Sequence, residues 1–319
     1  MASIYSIHVF LILALILNSH KINLFKINKK LKLTKDMESS DTRIFTIKSI
    51  KAIIIKNLIE VIKPYIDDTN ILISPDGIKI STLDSIAKSS VTYIKLQPEK
   101  FEKYECKKAS MIGINIPTLY TTIKSANRRE TITLFLDEKD PDNLGLELAD
   151  PFMGKVKVYK IPLLTIDDPI IKISPIEYDS IINIPSNQFQ QIIKDIQLVE
   201  GKTVDIKSID KQLIFSSSDG TVAFKTIISE IDDSSNKDQQ LLLQQNGEDI
   251  KSVKFSKNSK EIIQGKFKLS YLLNFIKASH LCDNMNIYLT NNNPLILEYF
   301  VSDIGILRIL LLQIVNEEN

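Results

Sequence analysis

The sequence has few of the residues that build catalytic and metal sites. Its 319 residues include two cysteines, three histidines and no tryptophan. Cys106 and Cys282 lie too far apart for a metal-binding motif, and two thiols in a chain of this length do not form a disulfide framework. Of His8, His20 and His280, only His280 lies in the body of the chain, where a catalytic triad would have to be built around it. We therefore expect no enzyme activity, no cofactor and no metal.

Glycine and long apolar runs are also scarce. The chain has nine glycines and neither common type of glycine-rich phosphate loop. Its most apolar run, residues 9–17, falls short of the roughly 20 residues that span a membrane, and it lacks a basic start and a cleavage site. We expect residues 1–43 to be a disordered N-terminal extension or the product of an upstream start, since Met37 directly precedes the periodic part.

The overall composition is that of a soluble globular chain, with 44% hydrophobic and 25% charged residues. Residues 1–43 hold seven basic and three acidic side chains, a charge of +4, so the total of +1 leaves −3 on the body. A nucleic-acid binder with an acidic body must concentrate its cations on one surface, because phosphate contacts are electrostatic and local.

Four segments predict short amphipathic helices. The recurring apolar positions are Ile54, Leu58, Val61, Ile62 and Tyr65, then Leu119 and Ile123, then Phe189, Ile192, Ile193 and Ile196, then Leu272, Phe275 and Ile276. The accompanying cations are Lys56 and Lys63, Lys124 and Arg128, Lys194, and Lys277. Surface helices commonly carry lysine, so one such helix alone does not indicate a polyanion-binding surface. Recurrence in all four predicts a repeated scaffold that faces a polyanion.

The chain divides into two similar α+β halves. Strands and helices follow the same order in residues 44–162 and 177–315, which we predict to be two domains, followed by a tail at 316–319. The proline-containing stretch 163–176 predicts an extended connector. The second half is about twenty residues longer because of the polar stretch 231–250, which we predict to be a loop insertion.

Several segments resemble the eukaryotic-type DNA sliding clamp family, proliferating cell nuclear antigen. They are IKAIIIKNLIEVIKPYI, STLDS, MIGINIPTLYTTIKSA, IEYDSIINIPSNQFQQIIKDI, FKLSYLLNFIKAS and NNNPLILEYFVSDIGILRILL, in that order over about residues 44–315. The last is the most distinctive, since Pro-Leu-x-x-x-Glu-Tyr precedes an Asp-x-Gly turn and a closing apolar strand.

The resemblance implies a homotrimeric ring, with antiparallel sheets outside and helices lining a hole around duplex DNA. The DNA-facing cations would be Lys56, Lys63, Lys124, Arg128, Lys194 and Lys277. Contact with DNA would be independent of sequence, because lysines on rigid helices meet phosphates without contacting bases. The ring would act as a processivity factor that tethers DNA polymerase and other replication and repair proteins, and a clamp loader would be a further partner.

The resemblance also implies two kinds of protein contact. Partners with a short apolar and aromatic motif would insert it into a pocket beneath the connector, formed by Leu83, Tyr93, Ile171, Ile173, Pro294 and Leu310. Subunits would pair through edge strands near 155–161 and 213–218, represented by Val158, Tyr159, Leu213 and Phe215. A charge at Val158 or a proline at Phe215 is then expected to yield monomers.

Three alternatives remain open from the sequence. The chain could be one subunit of a checkpoint-type hetero-ring, or a monomeric processivity factor that forms no ring. Asp137, Glu138 and Asp140 could bind a metal in a nuclease, although they resemble a turn. Richness in Ile, Lys and Asn indicates an AT-rich genome, of a protist or a large DNA virus, and thus a nuclear location or a viral replication compartment.

Overall fold

The computed structural model describes residues 42–84, 89–168, 171, 173, 176–230 and 253–314. The expectations for most of the N-terminal extension, the 231–250 insertion and the 316–319 tail fall outside these residues.

Both halves repeat one order of elements: strand, helix, five strands, helix, three strands. The first half comprises β1 (Arg43–Ser49), α1 (Ala52–Ile62), β2 (Asp68–Ser74), β3 (Gly77–Leu83), β4 (Ser90–Leu96), β5 (Lys103–Cys106), β6 (Ser110–Asn115), α2 (Ile116–Ile123), β7 (Thr131–Asp137), β8 (Asp140–Asp150) and β9 (Lys155–Pro162). The second comprises β10 (Ser180–Pro185), α3 (Ser186–Leu198), β11 (Thr203–Ile209), β12 (Gln212–Ser217), β13 (Phe224–Ser229), β14 (Lys254–Lys257), β15 (Ile263–Lys268), α4 (Leu269–Phe275), β16 (Asn284–Leu289), β17 (Leu295–Val301) and β18 (Gly305–Leu311). The predicted α+β fold with two similar clamp domains is confirmed.

The strands form three antiparallel sheets. Their orders are β5-β1-β7-β8-β9, β14-β10-β16-β17-β18-β4-β3-β2-β6, and β13-β12-β11-β15. The nine-stranded sheet joins the two halves, because β18 of the second half pairs with β4 of the first along seven residue pairs, from Gly305–Leu96 to Leu311–Ser90.

Local sequence explains where several elements begin. The Pro-Asp-Gly turn between β2 and β3 ends at Gly77, whose φ of +113° is one that side chains other than glycine rarely adopt. Helix α2 begins after Asn115, whose side-chain oxygen accepts the Thr118 N–H at 2.8 Å, and Pro117 occupies its first turn.

The helices pack side by side against the sheets. Helix α1 packs on α2, α3 packs on α4, and α1 contacts the 3-10 turn Ile276–His280 that follows α4. The rings of Tyr65 and Phe275 meet edge to face at 5.5 Å across the two halves. The buried helix faces join the inward side chains of the strands in one continuous core. We call the four helices and the turns after their carboxyl ends the helix layer.

The structure contains strands that the sequence patterns did not mark. Residues MIGIN, which open the segment MIGINIPTLYTTIKSA, form strand β6 ahead of helix α2, because Ile112 and Ile114 alternate into the core. Strands β5, β14 and β15 were not predicted either, and β5 and β14 have only four residues each. Residues 213–228 form most of the hairpin of β12 and β13.

The described part of the connector runs along the face of the first-half sheet that points away from the helices. Leu164 N–H donates to Gly113 O at 2.9 Å, and Asn70 Nδ2 donates to the carbonyls of Ile166 and Asp168 at 3.0 and 2.8 Å. Ser81 Oγ donates to Ile171 O at 2.7 Å. Among the described residues, no helix is long and apolar enough to cross a membrane.

Candidate nucleic-acid interface and peptide pocket

The predicted DNA-facing cations all lie on the helix layer, but most follow the helices rather than belong to them. Lys56 lies within α1 and Lys194 within α3. Lys63 and Lys124 directly follow α1 and α2, and Lys277 lies in the 3-10 turn, two residues after the end of α4. Cations are favourable there, because unpaired carbonyls give a helix carboxyl end partial negative charge.

Arg128 departs further from its prediction. Helix α2 ends at Ile123, so Arg128 lies in the loop before β7 instead of on the helix, where it is exposed. An eight-residue helix is too short to reach it. Sequence periodicity did not reveal this end, because no glycine or proline follows Ile123 closely.

Carboxylates of the described residues do not neutralise the helix-layer cations. None of the six cations forms an ion pair with a described residue, and all but half-buried Lys56 are exposed. Lysines of β9 differ, since Lys157 contacts Glu130 at 2.7 Å and Lys160 contacts Asp140 at 2.6 Å. The helix layer is therefore a surface whose positive charge remains available to phosphates.

Two contacts orient cations on this layer. The Lys63 ammonium lies 4.5 Å from the centroid of the Tyr120 ring on α2, a cation–π contact between neighbouring helices. Lys277 Nζ donates to Asn274 Oδ1 at 3.3 Å. Burial, together with nearby Glu60, raises the pKa of Tyr120. The Tyr120 ring is therefore neutral near pH 7.

The opposite, outer face of the nine-stranded sheet carries side chains in three parallel rows across β17, β18, β4 and β3. The first row is apolar and comprises Ile296, Leu310, Val91 and Leu83; the second comprises Glu298, Arg308, Tyr93 and Ser81; the third comprises Phe300, Ile306, Lys95 and Lys79. Their neighbours in each strand alternate into the core.

The apolar row contains two of the six predicted pocket residues, Leu83 and Leu310. Leu310 and Ile173 belong to one apolar cluster, separate from the main core, whose buried members also include Tyr178 and Ile296. Leu83 is 40% exposed at the end of the row, opposite Val91. The apolar surface of this row therefore continues from the buried cluster to exposed Leu83.

The remaining predicted pocket residues surround this cluster. Pro294 contributes its carbonyl, which accepts from Tyr178 OH at 3.4 Å, and Ile171 is held by Ser81 one row away. Tyr93 does not belong to the apolar cluster; it stands opposite Arg308 in the second row. Burial raises the pKa of Tyr178 to about 12, so its hydroxyl remains a donor at neutral pH.

Sequence reasoning missed several pocket residues. Tyr178, Ile296, Val91, Ile176, Ile181 and Tyr288 all contribute to the cluster. The rings of Tyr178 and Tyr288 meet at 5.6 Å. Strand alternation in LILEYFV marks Ile296 as lying on the face opposite Leu295 and Leu297, and this signal would have identified it.

Strands β9 and β13 each lie at one edge of a sheet, as do β5, β6, β14 and β15 among the described strands. Val156 and Val158 on β9 are 45% and 53% exposed, and Ile227 on β13 is 52% exposed. The edge position predicted for Val158 and Tyr159 on β9 is the position that the structure gives them.

The predicted second edge was wrong by one strand. Leu213 and Phe215 lie on β12, which is paired on one side with β11 and on the other with β13. Both side chains are fully buried, and the Phe215 ring contacts that of Phe189 at 6.0 Å. A proline at Phe215 is therefore expected to unfold the second half instead of separating subunits.

The carboxylates considered for a nuclease lie in the β7–β8 turn. Asp137 Oδ1 accepts the Lys139 N–H at 3.0 Å, and Asp140 binds Lys160 and, at 2.6 Å, the Asn143 amide. Both contacts lower the pKa of Asp140. Within the described residues, no group of three or more His, Cys, Asp or Glu side chains is placed to hold a metal ion.

Comparison with known proteins agrees with this geometry. Residues 44–170 match the N-terminal domain of proliferating cell nuclear antigen, and residues 172–314 match its C-terminal domain. The probable DNA polymerase sliding clamp 1 of Paramecium bursaria Chlorella virus 1 is 29% identical over 86% of this chain and 99% of its own length. The proliferating cell nuclear antigen of Dictyostelium discoideum is 25% identical over 82% of this chain and 96% of its own. The chain thus belongs to the proliferating cell nuclear antigen family of sliding clamps.

Proposed function

We propose that this protein is a homotrimeric, non-enzymatic sliding clamp that encircles duplex DNA and acts as a DNA polymerase processivity factor. The observation that carries the proposal is the helix layer, whose six cations have no carboxylate partner among the described residues. A surface of this kind contacts phosphates of any sequence, and weak interchangeable contacts allow movement along DNA.

The internal repeat supports ring closure. In element order, β18 of the second half corresponds to β9 of the first, and β4 corresponds to β13. Within the chain β18 pairs with β4, while β9 and β13 remain edges. Pairing β9 of one copy with β13 of the next would repeat the internal joint, a head-to-tail contact that generates a ring when the rotation closes.

The register of the internal joint predicts the register between subunits. Leu307 stands opposite Ile94 in the β18–β4 pair. Lys157 on β9 corresponds to Leu307 on β18. Lys157 lies opposite Leu148, Leu307 lies opposite Tyr299, and Leu148 and Tyr299 are buried at equivalent positions of β8 and β17. By the same argument, Thr226 on β13 corresponds to Ile94 on β4. Thr226 lies opposite Phe215, and Ile94 lies opposite Ile80 at the equivalent position.

With Lys157 opposite Thr226, the neighbouring pairs follow. Exposed Val156 would face exposed Ile227 on one side of the joined sheet. Tyr159 would face Phe224 on the other, and both rings are half-buried in the single chain. These two apolar pairs would supply the hydrophobic part of the subunit interface.

A closed ring would hold DNA by topology and raise the effective concentration of a bound polymerase at the template. We infer that the apolar row, together with the apolar cluster around Tyr178, Ile296 and Leu310, binds the apolar and aromatic motif of polymerase, clamp loader and other replication or repair proteins. Ile171 and Ile173 place the connector at this cluster. The proposed location is the nucleus or, for a virus-encoded clamp, the viral replication compartment.

The proposal is tested by solution mass and by retention on DNA. Light scattering behind size exclusion should give the mass of a trimer across a dilution series. Clamp threaded onto linear DNA whose ends are then blocked should remain bound at high salt and should be released when a nuclease cuts the DNA. A monomer at all concentrations that still stimulates polymerase would favour the processivity factor without a ring. Trimer formation only with a second protein would favour the hetero-ring.

A further inference from the structure

Two lysines face each other on the outer face of the nine-stranded sheet. Lys79 on β3 stands directly opposite Lys95 on β4, and both side chains are half-buried. Directly opposed side chains on antiparallel strands have Cβ atoms only about 5 Å apart, so like charges there repel each other. The two ammonium charges therefore do not stabilise each other.

Neither lysine is neutralised by a residue that the structure describes. Neither ammonium forms an ion pair or a side-chain hydrogen bond with a described residue. The connector carboxylates of Asp167 and Asp168 are exposed and form no ion pair with them. The adjacent row differs, because Arg308 there is paired with Glu298 at 2.6 Å. Among the described residues, the two lysines therefore lack the ion pair that Arg308 has in the next row.

We propose that Lys79 and Lys95 bind the carboxylates of an acidic, apolar peptide segment that lies next to the clamp-binding motif of a partner protein. The inference rests on the proposed function, because the motif itself would occupy the apolar row. The apolar row and the row that contains the lysines are separated by one intervening row. They lie four residues apart along each strand, which is a distance of about 13 Å. One extended segment can therefore reach both rows.

The surroundings favour a peptide over nucleic acid. Phe300, 38% exposed, and half-buried Ile306 continue the lysine row on one side. Leu72 and exposed Met111 continue it on the other. Phosphate backbones require a track of cations, whereas two cations between apolar side chains match one or two carboxylates flanked by apolar groups.

The test uses labelled peptides and fluorescence anisotropy on the full-length protein. One peptide carries an apolar and aromatic motif followed by Asp-Glu-Asp-Phe, the second carries the same motif followed by Ser-Gly-Ser-Phe, and the third is the acidic segment alone. The variant is Lys79→Thr with Lys95→Thr, because threonine suits a strand. The matched control is Lys139→Thr with Lys260→Thr, which removes two exposed cations elsewhere.

The acidic segment should tighten binding to the wild type and the control by about threefold to tenfold, as expected for two partly exposed ion pairs. In K79T/K95T this advantage should vanish, while the neutral peptide binds unchanged. Equal binding of the acidic and neutral peptides to the wild type would overturn the inference and leave the proposed pocket intact.

Failure of the neutral peptide to bind would count against the proposed pocket. The inference would then depend on the third peptide, the acidic segment alone, which should bind the wild type and not K79T/K95T. Lysine-dependent binding of single-stranded DNA, with no binding of either acidic peptide, would overturn it in favour of nucleic acid. Lys95→Glu provides a second check. This variant should bind the acidic and neutral peptides equally and should have a higher melting temperature, because the introduced carboxylate would pair with Lys79. A purely structural role for Lys95 predicts a lower melting temperature instead.

Discussion

Arg308 on β18 donates from Nε to Oε2 of Glu298 on β17 at 2.6 Å, directly across the strand pair. The Glu298 side chain is only 5% exposed, against 39% for Arg308. The other carboxylate oxygen of Glu298 accepts from Asn286 Nδ2 at 2.9 Å and from Tyr288 OH at 2.8 Å. The network lies beside the apolar row and fixes the strands that present it.

Removing Arg308 should therefore destabilise the second half. Arg308→Leu leaves Glu298 buried without its cation, and we expect a loss of about 2–4 kcal/mol in the free energy of unfolding. Replacing both residues, Glu298→Leu with Arg308→Leu, should recover most of the loss. Urea unfolding of the two single variants and the double variant measures the coupling. Additive losses would contradict a direct interaction.

A charge exchange tests the subunit register. Val156→Lys or Ile227→Glu alone should give monomers, because each places an unpaired charge against an apolar edge. The two substitutions together should restore the trimer, since the new charges would face each other across the β9–β13 joint. Light scattering gives the mass of each. A double variant that remains monomeric, although folded by circular dichroism, would rule out this register.

Removing helix-layer cations should weaken DNA binding equally for all sequences. Lys124→Ala with Lys277→Ala should lower the slope of log affinity against log salt by about 1 for each phosphate that is no longer neutralised. Lys139→Ala, on the exposed β7–β8 turn, is the control. Filter binding of two unrelated duplexes between about 50 and 300 mM salt measures the slope. An unchanged slope would place DNA elsewhere on the protein.

Gly113 should be required for the position of the connector. A Cβ built on Gly113 falls well inside van der Waals contact with Leu164 O, so Gly113→Ala must displace the connector from β6. We expect faster proteolytic cleavage within 163–176 and weaker binding of the motif peptide, with a stability loss of about 1–3 kcal/mol. Gly154→Ala is the control in open space, although its φ of +58° adds some strain. Equal cleavage rates for the wild type and Gly113→Ala would contradict this expectation.

Acid should weaken the loop that precedes the β13 edge strand through Asp219. Burial tends to raise its pKa, but hydrogen bonds from Thr203, Ser217 and the Lys202 N–H outweigh burial and hold the pKa well below its usual range. Its stabilising contribution is therefore complete above the unfolded pKa of about 3.9 and is lost as pH falls through the lower folded pKa.

Asp219→Asn should lower the melting temperature near neutral pH and approach the wild type as pH falls below about 4. Thermal unfolding of both proteins from about pH 3 to pH 7 measures the difference. A difference that stays constant across this range would show that the Asp219 charge does not contribute.

The sequence determined the repeated α+β order, the apolar helix faces and the helix-layer cations, because these depend on local periodicity. Alternation along a strand shows which side chains share a face, and helical spacing shows which are buried. It did not determine the end of α2 before Arg128, since no local stop signal marks it. Nor did it mark the four-residue strands β5 and β14, which are too short to show a period.

Only the tertiary structure decided how strands pair. Leu213 and Phe215 look like edge residues in sequence, but β13 covers them, and sheet order depends on contacts between distant segments. The opposition of Lys79 and Lys95, the Glu298–Arg308 pair and the free edges at β9 and β13 follow from that order. Local sequence determines which side chains lie on each face of a strand. Hydrogen bonding between segments distant in sequence determines which strands become neighbours.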